Sequence, residues 1–481
     1  MDILLKAILV YPAFCLAVSL LLNKLFKWQL SLLLSLVGFV LTLMVFIPAL
    51  SNGFPNVIVF DCSWIPMAGI SFKLGLDGIS LILVMLTNLT IPLVILSSKN
   101  HDYSDNNYFH SLVYLMQIGM LGVFTSLDGF LFYVFWEIAL IPIYFICGIW
   151  GGENKAAVTF KFFLYTIAGS LFMLIGIIYF YLQTPGSHSF DIEAFKAVEL
   201  DKNTQLWLFW SFFIAFAIKM PVFPLHTWQP DTYTTSPTQG TMLLSGVMLK
   251  MGFFGVIRWI IPLFPLAVAQ YSELIIILSV IGLIYGAIIA IMQKNIKTLL
   301  AYSSLSHVGL ICAGLFTNNI QGFQGSIIQM LVHGINVIGL FYIVDIIEKR
   351  TNTLQIADMG GIINKAPKLG ILFVIIMLGS VALPLTNGFV GEFLLLSSVF
   401  QYNPYLGAVA GLSVILGAVY MLRMYKTVML GETNSRTDSF NDLNTAEFIG
   451  LACIALLVIG IGVYPQPILS LSAGEALSLV K

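Results

Sequence analysis

Six ionisable side chains lie inside long apolar stretches of this sequence, where a charged group is costly. They are Glu137, Lys219, Lys250, His307, His333 and Glu392. A charged residue at the centre of a membrane-spanning helix costs at least about 2.5–3.5 kcal/mol on insertion scales. Carboxylates, amines and imidazoles can each take up and release a proton, and imidazole does so near neutral pH. These residue types therefore indicate proton transfer through an apolar protein.

Glu137 and Lys219 are an acid and a base that suit each other as partners. Burial favours the neutral amine, whereas a neighbouring carboxylate favours the charged one. A buried lysine whose distance from a glutamate changes can therefore act as a proton-transfer switch, and the alternative is a static ion pair. Lys250 is either a further member of the path or a packing lysine that extends towards the membrane surface. Gly246 and Gly252 would let another helix approach it.

The two histidines and Glu392 allow more than one interpretation. His307 follows a polar stripe at 303–306 that could hold water, and His333 lies close to Asn336. Each histidine alone could be a structural hydrogen-bonding group, the two together could relay protons, and a shared metal ion is a third alternative. Glu392 could either bind backbone N–H groups freed by a nearby helix break or hand the proton on.

Two of the apolar stretches are interrupted by proline. Pro221 and Pro224 remove two backbone donors next to Lys219, and Pro384 precedes Asn387 in a second stretch. Proline breaks helical hydrogen bonding, and broken backbone inside a bilayer is tolerated where it is buried in protein or lines a wet cavity. The two breaks lie five spans apart, which favours two structural repeats of inverted orientation. Two unrelated kinks are the alternative.

The elements that carry these residues are predicted to be membrane-spanning helices. Of the 481 residues, 59% are hydrophobic and 9% are Asp, Glu, Lys or Arg, against roughly 45–50% and 25% in soluble domains. This composition excludes a soluble enzyme, a nucleic-acid-binding protein and a disordered scaffold. The net charge of −1 offers no attraction for nucleic acid. The five cysteines are far apart, so they indicate no metal site and are expected to be buried.

Fourteen apolar stretches approach the length of about 20 residues that a spanning helix needs. They are 3–22, 30–50, 76–97, 109–127, 129–149, 158–182, 205–227, 240–263, 272–292, 298–316, 322–347, 369–399, 404–427 and 446–468. The predicted fold is an all-α polytopic membrane protein with two inverted five-helix repeats, spans 4–8 and 9–13, and broken helices 7 and 12. The predicted domains are 1–108, three helices with an outside hairpin at 57–60 and 70–74; 109–263 and 272–427, two proton half-channels; and 428–481, a C-terminal helix and tail.

Positive charge is concentrated in alternate loops. One set of loops contains Lys24, Lys27, Lys99, Lys155, Lys294, Lys297, Lys349, Arg350, Lys365, Lys368, Lys426 and Arg436, whereas the other set and the termini contain Lys6, Lys73, Lys196, Lys202 and Lys481. The positive-inside rule places the first set in the cytoplasm. With an even number of spans, both termini then face outwards from a membrane that is expected to be the bacterial cytoplasmic (inner) membrane. Asp345, at the end of a span, is expected at a wet interface.

Three segments resemble the antiporter-like membrane subunits of respiratory complex I, the NADH–quinone oxidoreductase. They are WEIALIP at 136–142, KMPVFPLHTWQPD at 219–231 and NIKTLLAYSSLSH at 295–307. The resemblance covers nearly the whole chain and implies the same fourteen-helix fold. FVGEF at 389–393 has glutamate where L-type, N-type and Mrp-type relatives typically carry lysine, and the sequence stops soon after YPQP at 464–467. Both features resemble the M-type members, the counterparts of the mitochondrial fourth ND subunit. Tyr233 departs from the pattern, since relatives often carry histidine there.

The resemblance implies proton translocation driven by NADH oxidation and quinone reduction in other subunits. In the motifs of this family, Glu137 and Lys219 match the coupled acid–base pair, and Lys250 matches the central lysine. His307 and His333 match the two histidines that follow, and Glu392 matches the terminal acid. It implies no cofactor and no metal in this chain, because NADH, FMN, the iron–sulfur clusters and quinone belong to other subunits. The implied partners are other membrane subunits of the complex, especially L-like and N-like subunits on either side, and the lipid bilayer.

Two other functions remain open. A D-type member of an Mrp-type Na+/H+ antiporter would use the same polar residues, but the glutamate at position 392 differs from the lysine of those relatives. The second alternative is a membrane subunit of a related hydrogenase-like complex, which either conducts protons or serves only as a scaffold. A scaffold has no need to bury alternating acids and bases at the cost that a bilayer imposes.

Overall fold

The chain folds into helices and a small β-hairpin, as seen in a computed structural model that describes residues 2–186 and 188–479, apart from the side chain of Lys24. Lys481, part of the orientation argument, lies outside the described residues, as does the end of the predicted domain 428–481. The elements are α1 Asp2–Leu22, α2 Trp28–Asn52, β1 Val57–Ile65, β2 Ile70–Leu76, α3 Gly78–Ser98, α4 Asn107–Thr125, α5 Gly129–Trp150, α6 Lys155–Gln183, α7 Ile192–Lys196, α8 Lys202–Lys219, α9 Trp228–Thr235, α10 Thr238–Leu263, α11 Pro265–Met292, α12 Ile296–Leu315, α13 Ile320–Thr351, α14 Ile362–Lys365, α15 Pro367–Ser380, α16 Asn387–Tyr402, α17 Pro404–Met429, α18 Thr445–Val463 and α19 Gln466–Leu479.

Twelve of the described helices, α1–α6, α10–α13, α17 and α18, are long and apolar enough to cross a membrane. The prediction of an all-α polytopic membrane protein is therefore confirmed. The twelfth predicted span is divided between α15 and α16, and the seventh contains most of α8 followed by non-helical chain. The count of fourteen therefore stays a prediction, as do the inverted repeats and the domain limits. Helices α10 and α13 are wholly buried within the chain over their most apolar windows, and they form the centre of the bundle.

The first break separates α8 from α9 and follows from the two prolines of the seventh span. Freed carbonyls find other donors: Val222 donates its N–H to Ala217 O at 2.9 Å, and the indole of Trp228 donates to Ile218 O at 2.9 Å. Buried backbone groups need such replacements because water is excluded. The predicted span 205–227 is wrong at its end, since α8 stops at Lys219 and α9 lies beyond the predicted limit.

The second break lies between α15 and α16, where the sequence predicted it. Asn387 opens α16, and its side-chain amide exchanges two hydrogen bonds with that of Asn336 on α13, at 2.9 and 3.1 Å. The next residue, Gly388, packs directly on the end of α15, because a Cβ added to it would lie 2.0 Å from Gly379 O. The broken helix is thus positioned by side chains that are distant in sequence.

Gly388→Ala is expected to destabilise the protein by about 3 kcal/mol, the upper end of the usual cost of overpacking. The reason is that the new methyl group would overlap a backbone oxygen, which cannot move aside as a side chain can. The apparent unfolding temperature of the purified protein in detergent measures the effect. Gly411→Ala on α17 is the matched control, because no atom lies within 4 Å of its added Cβ. Equal unfolding temperatures for the two variants would contradict the close contact.

The loop between α2 and α3 contains the predicted hairpin, which is confirmed. Strands β1 and β2 pair antiparallel, from Val57 opposite Leu76 to Ile65 opposite Ile70. Both strands are longer than the predicted 57–60 and 70–74. Cys62 on β1 is exposed, and so is Cys453 on α18, whereas the other three cysteines are buried as expected. The prediction failed for these two because β1 and one face of α18 are not covered by the rest of the chain.

Helix α3 begins beside this hairpin at a buried ion pair. Asp77 accepts the backbone N–H of Ser80 at 2.8 Å as an N-cap and pairs with the guanidinium of Arg258 on α10. The side chain of Arg258 also donates to the Ser80 hydroxyl at 3.2 Å. Burial alone would raise the pKa of the Asp77 carboxyl, but Arg258 and the two groups of Ser80 hold that pKa below its ordinary value.

Asp77→Asn is expected to lower the stability by about 3 kcal/mol at neutral pH, because asparagine still caps the helix but leaves Arg258 without its counter-charge. A carboxyl whose folded pKa is depressed stabilises the fold above its unfolded pKa of about 3.9 and loses that contribution as the pH falls through the folded value. The difference from wild type should therefore shrink below about pH 4. Unfolding temperatures measured across this pH range test it, with Asp61→Asn on the exposed part of β1 as control. A difference independent of pH would contradict it.

Candidate functional site

Lys219 is the last residue of α8, at the point where the helix is broken. Its side chain is 1% exposed, and its ammonium nitrogen Nζ lies 5.0 Å from the centre of the Trp136 ring on α5. The carboxyl end of a helix carries a partial negative charge that favours a cation, and the indole face does the same. The break therefore places a lysine in an apolar interior with only weak, non-ionic support for its charge.

Glu137, the next residue on α5, does not form an ion pair with Lys219. Neither side chain takes part in a salt bridge of the described residues. Both Lys219 Nζ and Glu137 Oε1 are buried without a hydrogen-bond partner there. The carboxylate nevertheless lies close enough for its charge to act on the lysine. The static ion pair considered from the sequence is therefore not what the structure contains; the two groups are neighbours held apart.

Lys250 lies in the middle of α10, wholly buried, two residues after the end of a π-helical stretch at Leu244–Met248. Its Nζ donates to Ser245 O at 2.5 Å and lies 2.9 Å from His333 Nδ1 on α13. The wider π turn presents the Ser245 carbonyl to the lysine, which fits the frequent use of π-bulges at functional sites. The snorkelling alternative is wrong, because the side chain stays in the core.

Glycines allow this contact, as the sequence predicted. A Cβ on Gly246 would lie 2.7 Å from Ile338 on α13, and a Cβ on Gly334 would lie 2.8 Å from Gly246 O. Helices α10 and α13 are therefore in near-backbone contact at the level of the Lys250–His333 pair. A Cβ on Gly252 would lie 2.5 Å from Met220, so the same stretch of α10 packs on the break after Lys219.

The two histidines connect Lys250 with Glu392. His333 Nε2 lies 3.1 Å from the Ser304 hydroxyl on α12, and the His333 and His307 ring centres are 5.8 Å apart. His307 Nδ1 lies 2.9 Å from Glu392 Oε1 on α16, at ion-pair distance but without the alignment of a hydrogen bond. Lys250, His333, His307 and Glu392 thus form a row, which we call the polar axis.

A small cavity borders the far end of the polar axis. It has a volume of about 10 Å³ and is lined by His307, Glu392, Ser306, Ser413 and Tyr420 among others. That is about the space one water molecule requires, and the lining supplies several polar partners. His307 Nε2 has no hydrogen-bond partner among the described residues. A single water can therefore complete the contacts at this point.

The sequence analysis missed two buried groups, Lys297 and Asp345. Lys297 was assigned to a charged loop, but it lies in the first turn of α12 and is 3% exposed. Asp345 was expected at a wet interface, but it is 3% exposed and lies 2.8 Å from His101 Nε2. Position near the end of an apolar stretch suggested solvent in both cases. The signal that could have corrected this is Asn295, an N-cap residue that starts the helix before Lys297.

A metal ion held by the two histidines is the remaining alternative for this site. Such a site needs three or more suitable ligands. No three His, Cys, Asp or Glu side chains of the described residues are grouped to hold one. The ring nitrogens of His333 already face Lys250 and Ser304, so the geometry favours hydrogen bonding and proton exchange over metal binding.

Comparisons with known proteins agree on one family. Residues 126–417 match the sequence model described as NADH:quinone oxidoreductase/Mrp antiporter, TM. NADH-quinone oxidoreductase subunit M of Rickettsia prowazekii (strain Madrid E) is 42% identical over 416 residues, 85% of this chain and 83% of that protein. A chain of respiratory complex I from Thermus thermophilus with bound NADH has a TM-score of 0.91 and 32% identity, with both chains fully covered.

The same fold occurs in a second solved structure. A chain of the Mrp complex from Dietzia sp. DQ12-45-1b has a TM-score of 0.86 over 99% of this chain and 97% of its own, but 20% identity, which shows a shared fold alone. The family match spans the polar axis, and the Rickettsia relative covers most of the chain. The chain therefore belongs to the NADH:quinone oxidoreductase/Mrp antiporter family of membrane proteins, and it groups there with the M subunits of NADH-quinone oxidoreductase.

Proposed function

We propose that this chain is a proton-translocating membrane subunit of an NADH–quinone oxidoreductase. The observation that carries the proposal is the polar axis: the buried Lys250, His333 and Glu392 and the partly buried His307, in consecutive contact or near-contact through the centre of the bundle. A row of this kind is costly in an apolar interior, and proton transfer is the use that its chemistry supports. The relatives named as M subunits support the same assignment.

In the proposed cycle, Glu137 and Lys219 are the switch. When the carboxylate lies near, Lys219 keeps its proton; when it lies away, burial favours proton release towards Lys250. The separated, unpartnered state of both groups supports a pair that moves rather than one that is locked. From Lys250 the proton passes by His333 and His307 to Glu392 and leaves.

This chain performs no redox chemistry in the proposal. NADH oxidation and quinone reduction take place in other subunits, which hold the FMN, the iron–sulfur clusters and the quinone, and a conformational or electrostatic signal reaches this chain from a neighbour. L-like and N-like subunits flank it. The membrane is the bacterial cytoplasmic membrane, with the lysine-rich loops inside and both termini outside, as the charge distribution supports.

A cation exchanger remains the competing function, because the Mrp complex has the same fold. Inverted vesicles from cells that lack this chain, with and without the restored chain, separate the two. We expect restored NADH–quinone reductase activity and NADH-driven acidification that need no Na+ or K+. Unchanged NADH oxidation together with a pH gradient that depends on Na+ or K+ would overturn the proposal in favour of the exchanger.

A further inference from the structure

A vestibule of about 680 Å³ opens on the face of the protein that carries the lysine-rich loops. Its lining includes His101 from the loop before α4, Trp150 at the end of α5, Ser236 between α9 and α10, and Lys297 and Glu348. None of these residues belongs to the polar axis or to the Glu137–Lys219 switch. The vestibule is large enough for many water molecules, so water reaches the buried Lys297.

Lys297 at the base of the vestibule has spare proton-donating capacity. Its Nζ donates to Ser236 O at 2.5 Å, and no carboxylate of the described residues lies within salt-bridge distance of it. An ammonium group has three donors, so the contact with Ser236 leaves others for water. The carboxylates of Asp345 and Glu348 on α13 act on its charge through space, and Asp345 is itself engaged by His101.

Unpartnered polar atoms continue inward from Lys297. Helix α9 lies along α12, and Gln229 donates its side-chain N–H to Ala301 O at 3.1 Å, one helical turn beyond Lys297. Gln229 Oε1 and Tyr233 Oη, one turn apart on α9, are both buried without a hydrogen-bond partner among the described residues. Buried polar groups of this kind are normally satisfied by internal water, so the segment between Lys297 and Ser304 can hold a short water chain.

The same face of α12 reaches the polar axis. Ser304 lies about two helical turns after Lys297, it is 1% exposed, and its hydroxyl is 3.1 Å from His333 Nε2. His333 in turn contacts Lys250. Lys297, Ala301 and Ser304 therefore follow one another along one face of α12, with the unsatisfied Gln229 beside Ala301 and the polar axis in contact with Ser304.

We propose that Lys297 is the group through which protons from the lysine-rich side enter the polar axis, by way of water at Gln229 and Tyr233, Ser304 and His333. The inference rests on the proposed function and adds the uptake route to it. Charged Lys297 releases its proton to the internal water, and its neutral amine is then reprotonated from the vestibule. A proton that arrives at His333 reloads Lys250, and through it Lys219, after these amines have released theirs.

A purely structural role for Lys297 is the competing explanation, since its bond to Ser236 O links α12 to the end of α9. Two variants separate the roles. Lys297→Arg keeps a cation and a donor for Ser236 O but cannot release a proton, and Lys297→Met removes both. Lys349→Met is the matched control, because Lys349 lines the same vestibule but is exposed.

The experiment measures NADH-driven acidification of inverted vesicles that contain the whole complex, together with the amount of assembled complex. We expect Lys297→Arg to assemble normally but to pump about 100-fold more slowly, the lower range of what a positioned proton-transfer group contributes; Lys349→Met should match wild type. Wild-type pumping by Lys297→Arg would overturn the uptake role. Lys219→Arg is measured in parallel. If Lys219→Arg and Lys297→Arg both pump normally, the proposed function fails. If Lys219→Arg is inactive while Lys297→Arg pumps normally, only the uptake route fails.

Discussion

Replacing Lys219 with alanine should abolish proton pumping and slow NADH–quinone turnover of the intact complex by about 100-fold or more. The variant removes the amine at the broken end of α8 and leaves Glu137 without the group that it controls. Lys219→Arg should fail as well, because the guanidinium stays charged when the carboxylate lies away. The measurement is the NADH oxidation rate together with acidification of native inverted vesicles, normalised to the amount of assembled complex.

Lys202→Ala is the control for this experiment. Lys202 is the first residue of the same helix, and it is exposed, so its loss changes the charge of α8 without changing the switch. We expect wild-type rates for it. Full pumping by Lys219→Ala or Lys219→Arg would remove Lys219 from the proton path, since no other amine occupies the break in the described chain.

Lys250→Met should stop pumping to a similar extent, because it removes the amine that links the switch to the histidines. Methionine replaces the apolar stem of lysine and is one heavy atom shorter, so the core stays largely filled. Ser245 O and His333 Nδ1 lose their donor, which costs about 1–3 kcal/mol for each buried group left unsatisfied, while the cost of burying an ammonium disappears. Assembly should therefore survive and pumping should not.

The readout is again vesicle acidification for each NADH oxidised, compared with the quantity of complex in the membrane. Met248→Leu, two residues earlier on α10 and also buried, controls for disturbance of packing and should cost less than about 1.5 kcal/mol. Normal acidification by Lys250→Met would show that the proton bypasses Lys250. Loss of the complex in both variants would instead mean that α10 tolerates no change, which contradicts the expected survival of assembly.

Much of the fold follows from local properties of the sequence. Long apolar stretches specify helices whatever their neighbours, because every backbone group must be satisfied within the bilayer. Pro221, Pro224 and Pro384 predicted both breaks, since proline removes a donor and clashes with the preceding turn. Short segments of high β-propensity on either side of a proline and a glycine predicted the hairpin. Boundaries were less secure, as the misplaced end of the seventh span shows.

The six candidate residues were also identified from the sequence, because an ionisable group in an apolar helix is conspicuous. Which of these residues contact one another was not identified from the sequence. Lys250 and His333 are separated by 83 residues, and their contact depends on glycines that bring α10 and α13 together. The π turn that presents Ser245 O to Lys250 has no local signal in the sequence pattern. Helix rotation and close approach are set by packing across the whole bundle.

By itself, the sequence determined a polytopic helical membrane protein with two broken helices and a set of acids, amines and imidazoles within its apolar stretches. Only the tertiary structure decided that Glu137 and Lys219 stand apart, that the other four form one row, and that Lys297 is buried rather than in a loop. The physical reason is the distance along the chain over which each effect acts. Hydropathy and proline act within a few residues, whereas contacts between charged groups depend on which helix faces meet, and that is settled by non-local packing.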